Sequence, residues 1–123
     1  MKLLLDTHIL LWWLSDDPAL SVEHRAAIAD PANIVCVSAA TAWEISIKKA
    51  LGELDAPDDL VSALISSELE QLPITVAHAE AVGQLPPHHR DPFDRMLIAQ
   101  AQVEDLAVVT GDPVFARYAV ARF

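Results

Sequence analysis

Short apolar runs alternate along this chain with longer segments that have helical features. The runs are rich in leucine, valine and isoleucine and occupy residues 2–5, 34–37, 73–76 and 106–109. Such runs, bounded by turn residues, are typical of strands buried in a sheet. Strands separated by helices pair in parallel, because a parallel connection needs a crossover of about a dozen residues or more. The alternation therefore predicts an α/β fold with a mainly parallel sheet.

Capping residues mark the starts of several helices. Ser38 is a good N-cap, and Asp91 stands at an N-cap position directly before a proline. Trp43, Ile47 and Leu51 recur at four-residue spacing, which predicts a stripe that faces the core. The predicted helices span residues 7–14, 21–30, 38–51, 57–69, 77–85 and 91–104, with a last short helix from residue 112.

Two tryptophans are adjacent in the first predicted helix. Neighbouring helical residues point about 100° apart, so Trp12 and Trp13 cannot share one core contact. We therefore expect one of them to contact a partner subunit.

Length and composition indicate a single domain covering residues 1–123. Hydrophobic residues make up 53% of the chain, which excludes a disordered protein. The only cysteine, Cys36, excludes an internal disulfide and suits a reducing compartment. Asp6, Thr7 and His8 interrupt the N-terminal apolar stretch, which argues against a signal peptide, and no stretch is long enough for a membrane span. We expect a cytoplasmic protein with no membrane partner.

The charge balance is strongly acidic. The chain has 18 Asp and Glu residues against 8 Lys and Arg residues, which gives a formal net charge of -10. Proteins that bind nucleic acids usually present a basic surface. Charge alone therefore argues against a nucleic-acid partner.

Four acidic residues nevertheless fall where a parallel sheet collects its ligands. Asp6 ends the first predicted strand and Asp112 follows the last one, while Glu44 and Asp94 lie near the beginnings of helices. Ligands of open parallel sheets bind beyond the carboxyl ends of the strands, where strand ends and helix beginnings meet. We therefore expect the four carboxylates to converge on one pocket.

Three of these acids also have a structural interpretation. Asp94 gains from the helix dipole in the first turn, and Asp112 is a credible N-cap before a proline. Glu44 can pair with Lys48, one turn further along the same helix. Only Asp6, between two apolar runs, resists such an interpretation.

Converging carboxylates would need a counter-charge. Two carboxylates about 6 Å apart at an effective dielectric constant of about 20 repel by about 3 kcal/mol. Protons, a basic partner or a divalent cation would relieve that repulsion, and oxygen ligands favour a hard ion such as Mg²⁺ or Mn²⁺. Phosphodiester hydrolysis is the chemistry that uses such ions between carboxylates.

The histidines do not have the spacing of a zinc site. His88 and His89 are adjacent in a loop, so their side chains do not converge well on one ion. His24 and His78 are predicted on helix surfaces, and His8 lies near the proposed pocket. We expect no zinc.

The sequence resembles the PIN-domain ribonucleases, particularly the VapC-type toxins of bacterial toxin–antitoxin pairs. The matching stretches follow one another in order over almost the whole chain and read LLLDTHILLWWL, VSAATAWEISIKKALGEL, LPITVAHAEAVGQLPPHHRDPFDRMLIAQA and VVTGDPVFARY. Each stretch is a loose motif, and their order and spacing make the resemblance specific.

The resemblance implies a three-layer α/β/α sandwich with four or five strands and an endoribonuclease that depends on Mg²⁺ or Mn²⁺. It implies that Asp6, Glu44, Asp94 and Asp112 form the metal site. It also implies an RNA substrate, such as tRNA or ribosomal RNA, a cognate antitoxin that occludes the site, and a homodimer or a larger complex with the antitoxin. Small hydroxyl positions that flank the acids in such proteins match Thr7, Ser38 and Thr110.

In the expected reaction, a water activated by the metal attacks the phosphorus of the RNA phosphodiester. The products have 5′-phosphate and 3′-hydroxyl ends. Basic residues that flank the acids in the sequence are candidates for RNA phosphate contacts, or else belong to solvated helix faces. They are Lys48, Lys49, Arg90 and Arg95. The acidic cluster also predicts that the antitoxin inserts a basic residue among the carboxylates.

Other functions fit parts of the pattern. A PIN nuclease for RNA processing, without an antitoxin, would have the same site. A receiver-type signalling domain would need paired acids after the first strand, a central acceptor aspartate and a late lysine, and the sequence has none of these features. A non-catalytic interaction module is the remaining alternative.

Overall fold

A four-stranded parallel sheet forms the centre of the protein, whose computed structural model describes residues 1–123. The strand order is β3-β2-β1-β4, and every neighbouring pair runs parallel. The predicted α/β class and mainly parallel sheet are therefore confirmed. The strands are β1 (Lys2–Leu5), β2 (Ile34–Ser38), β3 (Glu70–Leu72) and β4 (Ala107–Val109).

Six α-helices and one 3-10 helix connect or follow the strands. Their bounds are α1 (Thr7–Leu14), α2 (Val22–Ala29), α3 (Ala39–Ala50), α4 (Leu60–Ser66), α5 (Val76–Val82) and α6 (Pro92–Glu104), with the 3-10 helix at Pro113–Arg117. None of these helices combines the length and the apolar character that crossing a bilayer requires.

Alternate strand residues face two separate layers of helices. Leu3 and Leu5 of β1 pack in one core with residues of α1 to α4. Leu4 points to the opposite face and packs in a second core, which α6 dominates and to which Phe115 contributes. Successive side chains of a strand point to opposite faces, so the three consecutive leucines of β1 contribute to both cores. This arrangement is the expected α/β/α sandwich.

The third strand lies three residues earlier than predicted. The sequence predicts it at residues 73–76, whereas β3 is Glu70–Leu72, paired with β2 from Cys36 to Ser38. Glu70 and Gln71 are exposed because β3 is the edge of the sheet, so the strand has no apolar run. The apolar residues after it belong instead to the turn into α5.

Helix α4 is shorter at both ends than predicted. It begins after its N-cap Asp59 rather than at residue 57, and it ends at Ser66 rather than at residue 69. Glu68 has a left-handed backbone conformation with φ of 57°, which stops the helix and turns Leu69 into the core. A left-handed residue cannot continue a right-handed helix.

The stripe Trp43–Ile47–Leu51 faces outward, so its predicted core position is wrong. These side chains are 60%, 40% and 67% exposed. Helix α3 instead buries the face that carries Thr41, Glu44 and Ile45, because this face meets α1, α6 and the sheet. Periodicity locates an amphipathic face, but hydrogen bonds to Glu44 allow a polar residue on the buried side.

The most exposed tryptophan is not one of the adjacent pair. Trp12 and Trp13 are both half-buried and pack against the core that contains Leu3. Trp43 is the outward one, and its ring packs edge-on against Phe93 of α6 with centroids 5.2 Å apart.

His78 is fully buried, not at a helix surface as predicted. It occupies the first turn of α5, where its Nδ1 accepts a hydrogen bond from the Thr75 backbone N–H at 3.0 Å. The Thr75 hydroxyl accepts in return from the His78 N–H, which completes a capping box. The imidazole therefore replaces the glutamate that usually occupies this position.

Candidate active site

Four acidic residues from separate elements line one cleft at the carboxyl edge of the sheet. Asp6 follows β1 directly and Asp112 follows β4, and these strands are neighbours. Glu44 reaches the same cleft from α3 and Asp94 from α6. The cleft, of about 240 Å³, also contains Thr7, His8, Lys48, His89, Asp91 and Phe115. We call this space the acidic cleft.

Asp6 is buried at the junction of β1 and α1. It is 6% exposed, and its Oδ1 accepts a hydrogen bond of 2.8 Å from the Ile9 N–H as the N-cap of α1. Burial raises the pKa of this carboxyl above its ordinary value, although hydrogen bonds from Thr110 and Ile9 oppose the rise. The nearby negative charge of Asp112 adds to the rise. The Asp6 carboxylate is therefore held in one orientation and is largely shielded from solvent.

Glu44 is held by two side chains on opposite sides. One carboxylate oxygen accepts a hydrogen bond of 2.5 Å from the Thr7 hydroxyl, and the other pairs with the Lys48 ammonium at 2.8 Å. Only 7% of the Glu44 side chain is exposed, against 40% of the Lys48 side chain. The hydrogen bond to Glu44 raises the pKa of Lys48. The pairing of Glu44 and Lys48 therefore occurs within the cleft itself.

Asp94 has the most perturbed carboxyl group in the cleft. Its pKa rises to about 6, chiefly because burial disfavours the charged form and in part because of the charges of Asp91 and Glu44. His89 opposes that rise, with its Nε2 2.8 Å from Asp94 Oδ2. Like charges held close together in a poorly solvated place raise a carboxyl pKa in this way.

Asp91 and His89 extend the acidic cleft around Asp94. Asp91 caps α6, as predicted, since its Oδ1 accepts hydrogen bonds from the N–H groups of Phe93 and Asp94. Ligand atoms of His89, Asp91 and Asp94 all lie within 4.8 Å of one another. The sequence does not predict His89 in the site, and its only signal is that it lies two residues before the DPFDR stretch.

The hydroxyl residues divide into two groups. Thr7 contacts Glu44 in the cleft, and Thr110 Oγ1 accepts a 3.0 Å hydrogen bond from the Asp112 N–H. Ser38 lies elsewhere, because its hydroxyl donates to Gln100 at 2.5 Å and caps α3. The structure therefore places Ser38 outside the acidic cleft, contrary to the expectation that it flanks the acids.

Three of the four candidate RNA-binding cations lie outside the acidic cleft, where Lys48 is the only lysine or arginine. Lys49 binds the Ala56 carbonyl and Asp58 in the segment after α3. Arg95 donates to four backbone carbonyls of residues 82–89 and to the Tyr118 hydroxyl, so its guanidinium is committed to ordering that loop. Arg90 is exposed in the loop before α6.

The donor set of the cleft fits a hard divalent cation. Its ligands are predominantly carboxylate oxygens, and among the four acids only Glu44 has a lysine or arginine partner. Burial and, to a lesser degree, neighbouring carboxylates raise the pKa values of Asp6 and Asp94, so a bound cation would favour their charged forms. Oxygen-rich sites of this kind suit Mg²⁺ or Mn²⁺ better than zinc.

Comparison with known proteins agrees with this fold. VapBC2 from Rickettsia felis, bound to a DNA fragment from its promoter, is 17% identical with a TM-score of 0.75 and covers 100% of this chain and 98% of its own. DNA-bound VapBC from Salmonella typhimurium is 22% identical, with a TM-score of 0.65 and coverage of 99% and 96%. FitAcB from Neisseria gonorrhoeae is 19% identical, with a TM-score of 0.65 and coverage of 98% and 96%.

Sequence comparison locates the chain within a family. No curated protein sequence matches it. The family model described as the PIN domain matches residues 3–121, which include all four acids of the acidic cleft. The chain therefore belongs to the PIN-domain family.

Proposed function

We propose that this protein is a Mg²⁺- or Mn²⁺-dependent endoribonuclease and the toxin of a toxin–antitoxin pair. The observation that carries the proposal is the convergence of Asp6, Glu44, Asp94 and Asp112, from four separate elements, on one cleft at the carboxyl edge of the sheet. Membership of the PIN family supports nuclease chemistry, and the likeness to VapBC complexes supports the toxin assignment.

The four acids would hold the metal. When bound, the ion would supply a Lewis acid that lowers the pKa of water and neutralises phosphoryl oxygens. The chain contributes preorganisation, because each carboxylate already has a partner that limits its rotation. Thr7 and Lys48 orient Glu44, and the Ile9 N–H orients Asp6. His89 orients Asp94, and the Val114 N–H orients Asp112.

RNA should bind weakly to this protein without a divalent ion. The net charge is -10, and Lys48, the one lysine or arginine in the cleft, is paired with Glu44. Few phosphates can therefore be neutralised directly. Arg90 is the exposed cation closest in the sequence to the capping residue Asp91, and it is our remaining candidate for a phosphate contact. Added salt should weaken the binding further.

The proposal includes a basic protein partner. The acidic cleft attracts positive charge, so an arginine or lysine of the antitoxin is expected to enter it and exclude the metal. Self-association is also part of the proposal, and the outward stripe Trp43–Ile47–Leu51 offers it an apolar surface.

The decisive experiment combines expression with cleavage. The chain should be expressed with and without the product of the neighbouring gene, and RNA ends should be sequenced in both cases. We expect growth inhibition and new 5′-phosphate ends only when the chain is expressed alone. Purified protein should cleave RNA with Mn²⁺ and lose this activity in EDTA.

Asp6→Asn with Asp105→Asn as a matched control identifies the site. Asp6→Asn should lower the cleavage rate by about three orders of magnitude, as loss of a group that stabilises the transition state does. Asp105 lies at the exposed end of α6, where its φ of 56° suits asparagine. Asp105→Asn makes the same chemical change there, so this variant should cleave RNA at the wild-type rate. Metal-dependent cleavage retained by Asp6→Asn would refute the assignment. Cleavage without antitoxin-reversible toxicity would favour an RNA-processing nuclease.

A further inference from the structure

A second cavity adjoins the acidic cleft and has a different character. It has a volume of about 370 Å³ and shares Asp6, His8 and Asp112 with the cleft. Besides these shared residues it is lined by Ile9 and Trp12 of α1 and by Gly111 and Pro113, which follow β4. We call it the Trp12 pocket. It lies within the range of volumes of small-ligand sites, about 300–1,000 Å³.

Two rings on the first helix form one wall of this region. His8 and Trp12 are four residues apart on α1, so they lie on the same helix face. Their ring centroids are 6.0 Å apart and their planes are inclined by 34°. His8 is exposed and Trp12 is half-buried, so ring surface remains accessible next to the carboxylates.

The segment after β4 leaves open space in the pocket. Gly111 lies there, and a Cβ placed on it would meet no protein atom within 4 Å. Pro113 of the same segment contributes an apolar ring. The lining of the pocket thus combines aromatic rings, an apolar proline ring and two carboxylates.

We infer that the Trp12 pocket binds a nucleobase, that of a nucleotide adjacent to the phosphate held at the acidic cleft. The inference rests on the proposed nuclease function. Aromatic side chains bind bases through stacking, which tolerates any sequence and needs no positive charge. This is the contact available to a chain that has few free cations near its site, and it would hold the strand where phosphate contacts are scarce.

The Trp12 pocket is continuous with the carboxylates of the acidic cleft, which favours a nucleobase over a protein side chain as its occupant. The base of a nucleotide is joined through its sugar to the phosphate, so a pocket that shares three residues with the phosphate site can receive both parts of one nucleotide. A segment of the antitoxin, whose basic side chain we expect in the acidic cleft, is the alternative occupant of the Trp12 pocket. We make that occupant an outcome of the test.

Calorimetry with two small probes tests the base contact separately from catalysis. Adenosine 5′-monophosphate and ribose 5-phosphate share the sugar phosphate and differ in the base. With Mn²⁺ present, the wild-type protein should bind the adenosine nucleotide roughly fivefold to a hundredfold more tightly, which is the range for one stacked base. Trp12→Leu should abolish this preference and Trp12→Phe should keep most of it.

Two further variants protect the test against misfolding. Trp43→Leu removes a tryptophan from the outer face of α3 and should leave the preference unchanged. Gly111→Val should narrow the pocket, since its Cβ would meet no protein atom within 4 Å. It should weaken binding of the adenosine nucleotide and leave binding of ribose 5-phosphate unaffected.

Each outcome has one interpretation. Equal binding of the two probes by the wild type would overturn the inference and leave the pocket to a protein side chain. A preference that survives both Trp12→Leu and Gly111→Val would place the base elsewhere and also overturn it. Failure of both probes to bind, with RNA still cleaved, would refute the nucleobase pocket alone. The same failure with no RNA cleavage would refute the proposed function as well.

Discussion

Two clusters of polar side chains lie close to the same helices and differ in how their groups are satisfied. The first is the Ser38–Gln100–His78 network, whose three side chains are at most 1% exposed. Ser38 donates to Gln100 Oε1, and Gln100 Nε2 donates to the Pro73 carbonyl at 3.3 Å. His78 accepts from Thr75 and has its Nε2 2.9 Å from Glu104. The network has no unpaired atom and no concentration of like charge.

The second cluster is the acidic cleft, which gathers carboxylates and leaves their charge largely uncompensated. Burial raises the pKa values of Asp6 and Asp94, so the metal-free folded state resists full ionisation. The two clusters share helices, since Ser38 caps α3, which carries Glu44, and Gln100 lies on α6 with Asp94. The satisfied polar groups thus hold the helices together, whereas the cleft carries negative charge that the protein itself does not neutralise, at a cost in stability.

Breaking the satisfied network should have the largest effect on stability. Gln100→Leu leaves the Ser38 hydroxyl and the Pro73 carbonyl without their partner, and each orphaned group costs about 1–3 kcal/mol. We expect a loss of about 3 kcal/mol and a melting temperature lower by roughly 10 °C. Thermal unfolding followed by circular dichroism measures it.

Gln102→Leu is the matched control on the same helix. Gln102 is exposed and donates one hydrogen bond, to the Ala119 carbonyl at 3.1 Å. Its replacement should change the melting temperature by only a few degrees. Equal losses of melting temperature in the two variants would show that the buried network stabilises the protein no more than one exposed hydrogen bond does.

Adding a metal should neutralise the carboxylate charge of the acidic cleft and thereby stabilise the folded protein. Binding at 100 times the dissociation constant stabilises a folded protein by about 2.7 kcal/mol. The wild type should therefore melt several degrees higher in Mn²⁺ than in EDTA, and Asp6→Asn should show little of this gain. Gln100→Leu should retain the gain although it starts from a lower melting temperature. A similar gain in Asp6→Asn would place the ion outside the acidic cleft.

The sequence predicts those features that depend on local pattern and on parallel topology. Apolar runs locate β1, β2 and β4, and strand ends bring Asp6 and Asp112 to one edge because β1 and β4 are neighbours. Strand β3 escapes prediction because an edge strand can be polar, and its register depends on β2 rather than on its own residues.

Side-chain contacts between distant elements escape prediction for a similar reason. The outward stripe of α3 cannot be recognised locally, because the burial of Glu44 depends on a hydroxyl from α1. Arg95 resembles a free cation in the sequence until the loop of residues 82–89 presents its carbonyls. The contact of His89 with Asp94 arises from the same loop.

The stability of the metal-free protein should depend on pH because of the acidic cleft. The pKa of Asp94 is about 6 in the folded state, against an ordinary value of 3.8, so the folded state binds more protons between these values. The free energy of unfolding in EDTA should therefore fall as the pH rises from about 4 to 6, by on the order of 2 kcal/mol from this group. The raised pKa of Asp6 acts in the same direction.

Asp94→Asn isolates that contribution. It should be more stable than the wild type in EDTA at pH 7 and should lose part of the pH dependence, as measured by urea unfolding at pH 5 and pH 7. Asp105→Asn, at the exposed end of the same helix, should keep the wild-type profile. A wild-type protein that becomes more stable from pH 5 to pH 7 in EDTA would contradict the interpretation of Asp94.

The smallest expected effect concerns the one lysine of the acidic cleft. Lys48→Met removes the ammonium that pairs with Glu44, and because 40% of the lysine side chain is exposed the loss of stability in EDTA should be about 1 kcal/mol or less. The gain in melting temperature on adding Mn²⁺ should become larger, since the metal then replaces the missing positive charge. Lys49→Met, whose ammonium binds Ala56 and Asp58 outside the cleft, should leave this gain unchanged. An equal gain in the two variants would mean that Lys48 and the metal do not share the charge of Glu44.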